Sequence, residues 1–180
     1  MLEDERLISE LHHGDKKALR QIYLKYKDNL LTIAASLLHD VGAAEEILHD
    51  VFVSFAAGAG NIRPRVSLRN YLVASIANRV RDMYRKKKHP TVSLENARQI
   101  SSDSGDPVQS AIFGEEFRLL TDALLRLPFE QRQTIILHIK GGMKFRDIAQ
   151  MQGITTSTVQ GRYRYGIDKL RTVLNGERKK

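Results

Sequence analysis

The sequence predicts an all-α protein of two small helical domains joined by a flexible linker, on three observations. Apolar residues recur at i, i+3 and i+4 along most of the chain, the spacing of one helix face. Strand-like alternation is missing. Past the middle, Ser101-Ser-Asp-Ser-Gly-Asp-Pro107 is small, polar and turn-forming, which reads as a joint rather than a packed element. A chain of 180 residues suits one medium domain or two small ones.

The first long helix opens at Asp15, whose carboxylate suits an N-cap. It carries Leu19, Ile22, Tyr23, Tyr26, Leu30, Ile33 and Leu37 on one stripe. Gly42 is expected to separate it from a second helix with Ile47, Leu48, Val51, Phe52 and Phe55. Gly58, Gly60 and Pro64 then mark a loop. A third helix is expected over about 66–87, with Leu68, Leu72, Ile76 and Met83 aligned, and His89-Pro90 stops it. Helical spacing resumes at Val108 through Ile112, Phe113, Phe117, Leu120, Leu124 and Leu127. Pro128 suits the first position of a further helix, which holds Ile135, Ile136, Leu137 and Ile139 and ends at Gly141-Gly142. The expected division is a domain over 1–88, a linker over 89–108, a second domain over 109–175 and a basic tail over 176–180.

Composition narrows the function. Hydrophobic residues make up 42% and charged residues 28%, as in an ordinary soluble protein. The chain has no cysteine, which excludes disulfides, thiolate zinc sites and a thiol nucleophile. Its apolar runs fall far short of the roughly 20 residues a membrane span needs, so no membrane insertion is expected. The acidic start, Met1-Leu-Glu-Asp-Glu, does not resemble a signal peptide, and a cytoplasmic protein is expected. Net charge is +8. Between Arg63 and Lys88 the basic residues cluster, with Asp82 the only acid, and such a stripe can neutralise phosphates and release counterions.

The sharpest local pattern runs from Lys144 to Val159. Phe145, Ile148 and Ala149 face inward on a short helix. Gly153 supplies a tight turn, Ile154 plugs the angle, Thr155 or Thr156 caps the next helix, and Val159 packs back. Helices joined in this way form the DNA-reading helix-turn-helix. Projected at 100° per residue, Val159, Tyr163, Ile167, Leu170 and Leu174 make the buried stripe of the second helix. Ser157, Gln160, Gly161, Arg164 and Tyr165 point away, and Gln and Arg can read base edges in a major groove.

At this point the residues resemble bacterial RNA polymerase sigma factors of the extracytoplasmic-function type, in the sigma-70 family. The C-terminal block, Leu127-Pro128, Arg132, Leu137, Gly142, Asp147-Ile148-Ala149, Gly153-Ile154, Thr158-Val159, Arg162 and Lys169-Leu170, is similar to that family's region four. The N-terminal block is similar to region two. Ala44 to Phe52 resembles its polymerase-binding helix, and Tyr71-Leu72, Asn78, Asp82 and Arg85 resemble its minus-ten-binding helix. The chain departs from the usual pattern at Tyr71, His49, Gln160-Gly161, Tyr165-Gly166, Lys144 and Arg146.

The resemblance implies a factor that binds core polymerase through its β′ clamp helices and β flap, recognises two promoter elements and opens the DNA. An anti-sigma factor is a common partner in that family. The residues expected at the minus-ten element are Asn61, Ile62, Arg63, Arg69, Asn70, Tyr71, Asn78, Arg81, Arg85 and Lys88. Those expected at the minus-thirty-five element are Lys144, Arg146, Ser157, Thr158, Gln160, Gly161, Arg162, Arg164 and Tyr165. Glu46, His49, Asp50 and Val53, opposite the apolar stripe of the second helix, are expected to face polymerase.

Other classes fit less well. None of the six histidines makes a His-x3-His pair with a carboxylate partner, so no metal and no cofactor are expected. Gly58-Ala-Gly60 is not followed by Lys-Ser or Lys-Thr, and no serine elbow occurs, so no catalytic residue is expected. His138 reads as a partly buried structural histidine. The alternative is a helix-turn-helix transcription regulator acting without core polymerase; it leaves the basic stripe over 63–88 unexplained.

Overall fold

A computed structural model describes residues 2–58, 67–88, 120 and 122–177. Among them the regular structure is helical throughout: α1 (Leu2–His12), α2 (Lys16–Leu38), α3 (Val41–Ala57), α4 (Leu68–Lys88), α5 (Phe129–Ile139), α6 (Phe145–Gln152) and α7 (Thr156–Glu177). The expected linker 89–108, the segment 109–119 expected to be helical and the last three residues lie outside the described part.

Helix α2 begins where Asp15 caps it, its carboxylate accepting from the Lys17 amide at 2.7 Å. The α2–α3 break falls earlier than Gly42. His39 ends α2 in the left-handed region at φ 57°, and Asp40 caps α3 by accepting from the Ala43 amide at 2.9 Å. A ready carboxylate cap decides the start, and Gly42 is absorbed into the first turn. Pro128 likewise sits one position before its expected place, preceding Phe129, the first residue of α5.

Leu30, Ile33 and Leu37 of α2, Ile47 and Phe55 of α3, and Leu68, Leu72 and Ile76 of α4 bury their side chains together, as the spacing predicts. Val73, Ala77 and Val80 of α4 are buried as well, on a second face. The buried residues of α5–α7, among them Ile135, Leu137, Ile148 and Val159, join the same continuous core cluster. The two sequence blocks therefore pack on one another.

Helix α1 was not foreseen. Leu7 and Leu11 bury against α2, and polar ties fix its start. Lys25 donates to Glu3 and to Asp4, and the Tyr26 hydroxyl donates to Asp4 at 2.8 Å. Burial works to raise the Asp4 pKa, but the hydrogen bonds from Lys25 and Tyr26 outweigh it and hold the carboxyl below its ordinary value. Burial, then the bond to Asp4, pushes the Tyr26 phenol up to about 12. A carboxyl whose pKa falls on folding adds stability that is present above its unfolded value and lost as pH drops through the folded one. Amide exchange should therefore show α1 loosening below about pH 4, before the core does. Asp4→Asn should remove that acid dependence; a wild-type α1 indifferent to acid would contradict the account.

Candidate nucleic-acid interface

The helix-turn-helix is built as its sequence requires. Gly153 closes α6 in the left-handed region at φ 67°, where glycine carries no Cβ penalty. The Ile154 amide donates back to the Ala149 carbonyl at 3.1 Å. Thr155, not Thr156, caps α7: its hydroxyl accepts from the Thr158 amide at 3.2 Å. Val159 and Leu170 are buried, and Tyr163, Ile167 and Leu174 are half-buried. A Cβ on Gly166 would lie 2.8 Å from Ile135 Cδ1, so the missing side chain lets α7 cross α5 closely. His138 pins the corner, with Nδ1 2.8 Å from the Met143 carbonyl and its ring stacked on Phe145 at 4.2 Å.

Ser157, Thr158, Gln160, Arg164 and Tyr165 are exposed on the outer face of α7, and Lys144 and Arg146 are exposed at the start of α6. Tyr165 is 60% exposed, and the Arg164 guanidinium lies 5.0 Å over its ring. A Cβ at Gly161 would meet nothing within 4 Å, so its bareness answers no packing need in this chain. Arg162 is the exception among these residues. It is half-buried and donates to the Gln152 side chain at 2.9 Å.

The α4 residues divide differently. Asn78 and Arg85 are exposed, whereas Arg69, Asn70, Tyr71 and Arg81 are half-buried. Arg69 donates to the Lys140 carbonyl at 3.0 Å, and the Asn70 amide approaches the Asp147 carboxylate at 3.4 Å. Tyr71 leans on Phe55, ring centroids 6.1 Å apart. Arg81 donates to Asn78 at 2.7 Å, and burial, against the pull of Asp82, lowers its pKa. Between these residues the helix offers no open approach at Ala77. Ala77 is buried, and its carbonyl accepts from Gln133 of α5 at 3.2 Å. Asn61, Ile62 and Arg63 lie outside the described residues, and Lys88 is the last residue of α4.

On α3, Glu46, His49, Asp50 and Val53 are all exposed, Val53 by 53%. Of these, His49 lines a hollow between α2 and α3, together with Tyr23, Lys27, Asp28, Glu45 and Phe52. Sequence reasoning placed Tyr23 on the buried stripe, yet it is 39% exposed, with its edge against Phe52 at 4.9 Å.

Two family profiles match these two blocks in order: Sigma-70 region 2 over residues 22–89 and Sigma-70, region 4 over residues 117–170. The chain belongs to the sigma-70 family. Its curated relatives include the ECF RNA polymerase sigma factor SigM of Mycobacterium tuberculosis, 29% identical over 160 residues, which cover 88% of this chain and 78% of the relative. The RNA polymerase sigma-H factor of Pseudomonas aeruginosa is 24% identical over 179 residues and covers 93% of each chain. Among solved structures, CnrH in complex with the cytosolic domain of CnrY superposes with a TM-score of 0.71 at 21% identity, covering 97% of this chain and 98% of that one. That likeness shows the fold. In this sigma factor, α3 and α4 fall within the region two match, and α5, α6 and most of α7 within the region four match.

Sequence reasoning missed the polar residues that tie the two regions together, namely Tyr84, Arg132, Gln133 and Gln152. Little local signal marks them: Arg132, Gln133 and Thr134 continue the polar first half of α5, Glu130 to Thr134, yet all three are buried. No described helix is long and apolar enough to cross a membrane. Among the described residues no cluster of three or more His, Asp or Glu is placed to hold a metal ion.

Proposed function

We propose that this sigma factor binds core RNA polymerase through Glu46, His49, Asp50 and Val53. It recognises the minus-thirty-five element with the outer face of α7, and captures the minus-ten element with α4 and the loop before it. The observation that carries the reading is the outer face of α7: a helix-turn-helix presents Ser157, Thr158, Gln160, Arg164 and Tyr165 to solvent opposite an inner face on which Val159 and Leu170 are buried. Lys144 and Arg146 add positive charge beside it, and the region two block precedes it in the same chain. The factor makes no covalent bond itself, needs no cofactor, works in the cytoplasm and is organised as the domains 1–88 and 109–175. Two structural neighbours are bound to partner proteins, CnrH to the cytosolic domain of CnrY and the sigma factor RpoE to the anti-sigma factor NepR from Bartonella quintana; the second supports an anti-sigma factor for this chain too.

Gln160 and Arg164 are the base readers in this scheme, while Ser157, Thr158 and Arg162 touch phosphates, contacts that position without specifying. Arg164→Ala should cost about 1–3 kcal/mol and relax one promoter position, as expected for a bidentate contact to guanine. Affinities for a set of singly substituted upstream elements check this. A loss of equal size on every sequence would reassign Arg164 to phosphate. Run-off transcription with core polymerase on a randomised promoter library tests the function as a whole. Enrichment of two spaced motifs is expected, and transcripts indifferent to sequence would refute it.

A further inference from the structure

Helix α7 carries two glycines in its interior, Gly161 and Gly166, and their bareness serves different ends. A glycine inside a helix lowers stability relative to alanine, so each asks for a physical reason. At Gly166 the reason is packing: a Cβ would lie 2.8 Å from Ile135 Cδ1 and 3.2 Å from Gln131 Cβ. At Gly161 a Cβ would meet no atom within 4 Å. Nor does its backbone demand glycine, since its φ is not positive. The fold alone would accept alanine at Gly161 and gain helix stability.

The surroundings of Gly161 supply a reason outside the fold. At about 100° per residue, the exposed arc of α7 runs from Gln160 through Ser157 to Lys169, about 180° wide, and Gly161 falls near its middle. Its neighbours three and four residues away on that face are Ser157, Thr158, Arg164 and Tyr165, all exposed. Each carries a hydrogen-bond donor and none is an acid. Arg164 is held in place, its guanidinium 5.0 Å over the Tyr165 ring and donating to the Tyr165 hydroxyl at 3.3 Å. A cation ordered beforehand loses less freedom on binding. The nearest acid along the arc, Asp168, stands two turns further on and pairs with Arg171 at 3.7 Å.

A bare stretch of backbone ringed by donors suits a flat edge that accepts hydrogen bonds. Guanine presents such an edge in the major groove, with O6 and N7 both acceptors. The middle of a helix lying in that groove faces the bases, whereas its flanks face the phosphates. We propose that Gly161 is a specificity-determining residue of the upstream interface. It seats a guanine edge of the minus-thirty-five element directly against the α7 backbone, where Arg164, set by Tyr165, reads it. An extra carbon at this position would hold the base pair off and stretch both Arg164 contacts past the roughly 2.7–3.2 Å that such bonds tolerate.

The proposal rests on α7 being the upstream recognition helix, and its test separates the two. Core polymerase carrying the full chain, wild type or Gly161→Ala, selects from the randomised promoter library, and the melting temperature of each free chain is measured. Gly161→Ala should melt about 2–4 °C higher, the worth of a mid-helix glycine replaced by alanine without a clash. It should also lose the guanine preference at one upstream position, keep the downstream motif, and bind the wild-type consensus about tenfold more weakly. Stability and recognition thus move in opposite directions, which a glycine serving the fold would not produce. A lower melting temperature, an unchanged upstream motif, or a loss of equal size on every sequence would each overturn the proposal. A wild-type complex that enriches no upstream motif would overturn the reading of α7 itself, and the guanine seat with it.

Discussion

Charge reversal at Glu46 and Asp50 to lysine should severely weaken core polymerase binding while leaving the fold intact. The two carboxylates lie four residues apart on the exposed side of α3, and Ile47, Leu48 and Val51 are buried on the other. A helix places residues i and i+4 one above the other, so both acids present to one partner. Neither makes a hydrogen bond or ion pair among those described, so the substitution removes no intramolecular contact. In the family this helix resembles, the facing clamp helices are basic. Close charge pairs across protein interfaces couple by about 1.5–7 kcal/mol, and reversing two of them replaces attraction with repulsion. Affinity for core should fall at least about 100-fold, with helical circular dichroism unchanged. Unaltered affinity would remove the α3 patch from the polymerase interface and send the search to the hollow beside Tyr23 and Lys27.

The second large effect is expected at strand opening. Asn78 is exposed on α4 and accepts from Arg81, which orients its amide at the edge of the basic stripe. Asn61 precedes α4 in the sequence and lies outside the described residues. Extruding a base from the duplex costs a few kcal/mol, which hydrogen bonds and stacking in a pocket must offset. Asn61→Ala combined with Asn78→Ala should therefore leave polymerase binding and closed-promoter affinity nearly unchanged. The rise of 2-aminopurine fluorescence at the minus-ten element should fall by about tenfold or more, the cost of two hydrogen bonds to a desolvated base. If opening and promoter preference survive, the α4 stripe is an electrostatic anchor and base capture lies elsewhere.

Helix type and helix ends were legible wherever one local rule dominated. Asp15 and Gly153 act at the positions their chemistry predicts, because a carboxylate beside free amides and a bare Cα at positive φ leave little choice. Gly42 misled because glycine tolerates a helical first turn when Asp40 offers a better cap two residues earlier. The outer faces of α3 and α7 also followed from periodicity alone, since each helix packs on a single side. Helix α4 defeated that reasoning. Projection on one axis gave it one buried stripe, but Val73, Ala77 and Val80 bury a second face against partners far along the chain. A contact between residues 77 and 133, or 69 and 140, leaves no local trace beyond buried polar side chains such as Gln133. Single-helix patterns therefore found the groups that face solvent and missed the ties that close the two regions on each other.

Permanganate footprinting tests the central claim most directly. Core polymerase, this chain and a promoter recovered from the randomised library should together expose reactive thymines around the minus-ten element. Core alone, and core with the Glu46→Lys, Asp50→Lys variant, should expose none. A ternary complex that forms on such a promoter and leaves every thymine unreactive would contradict the account.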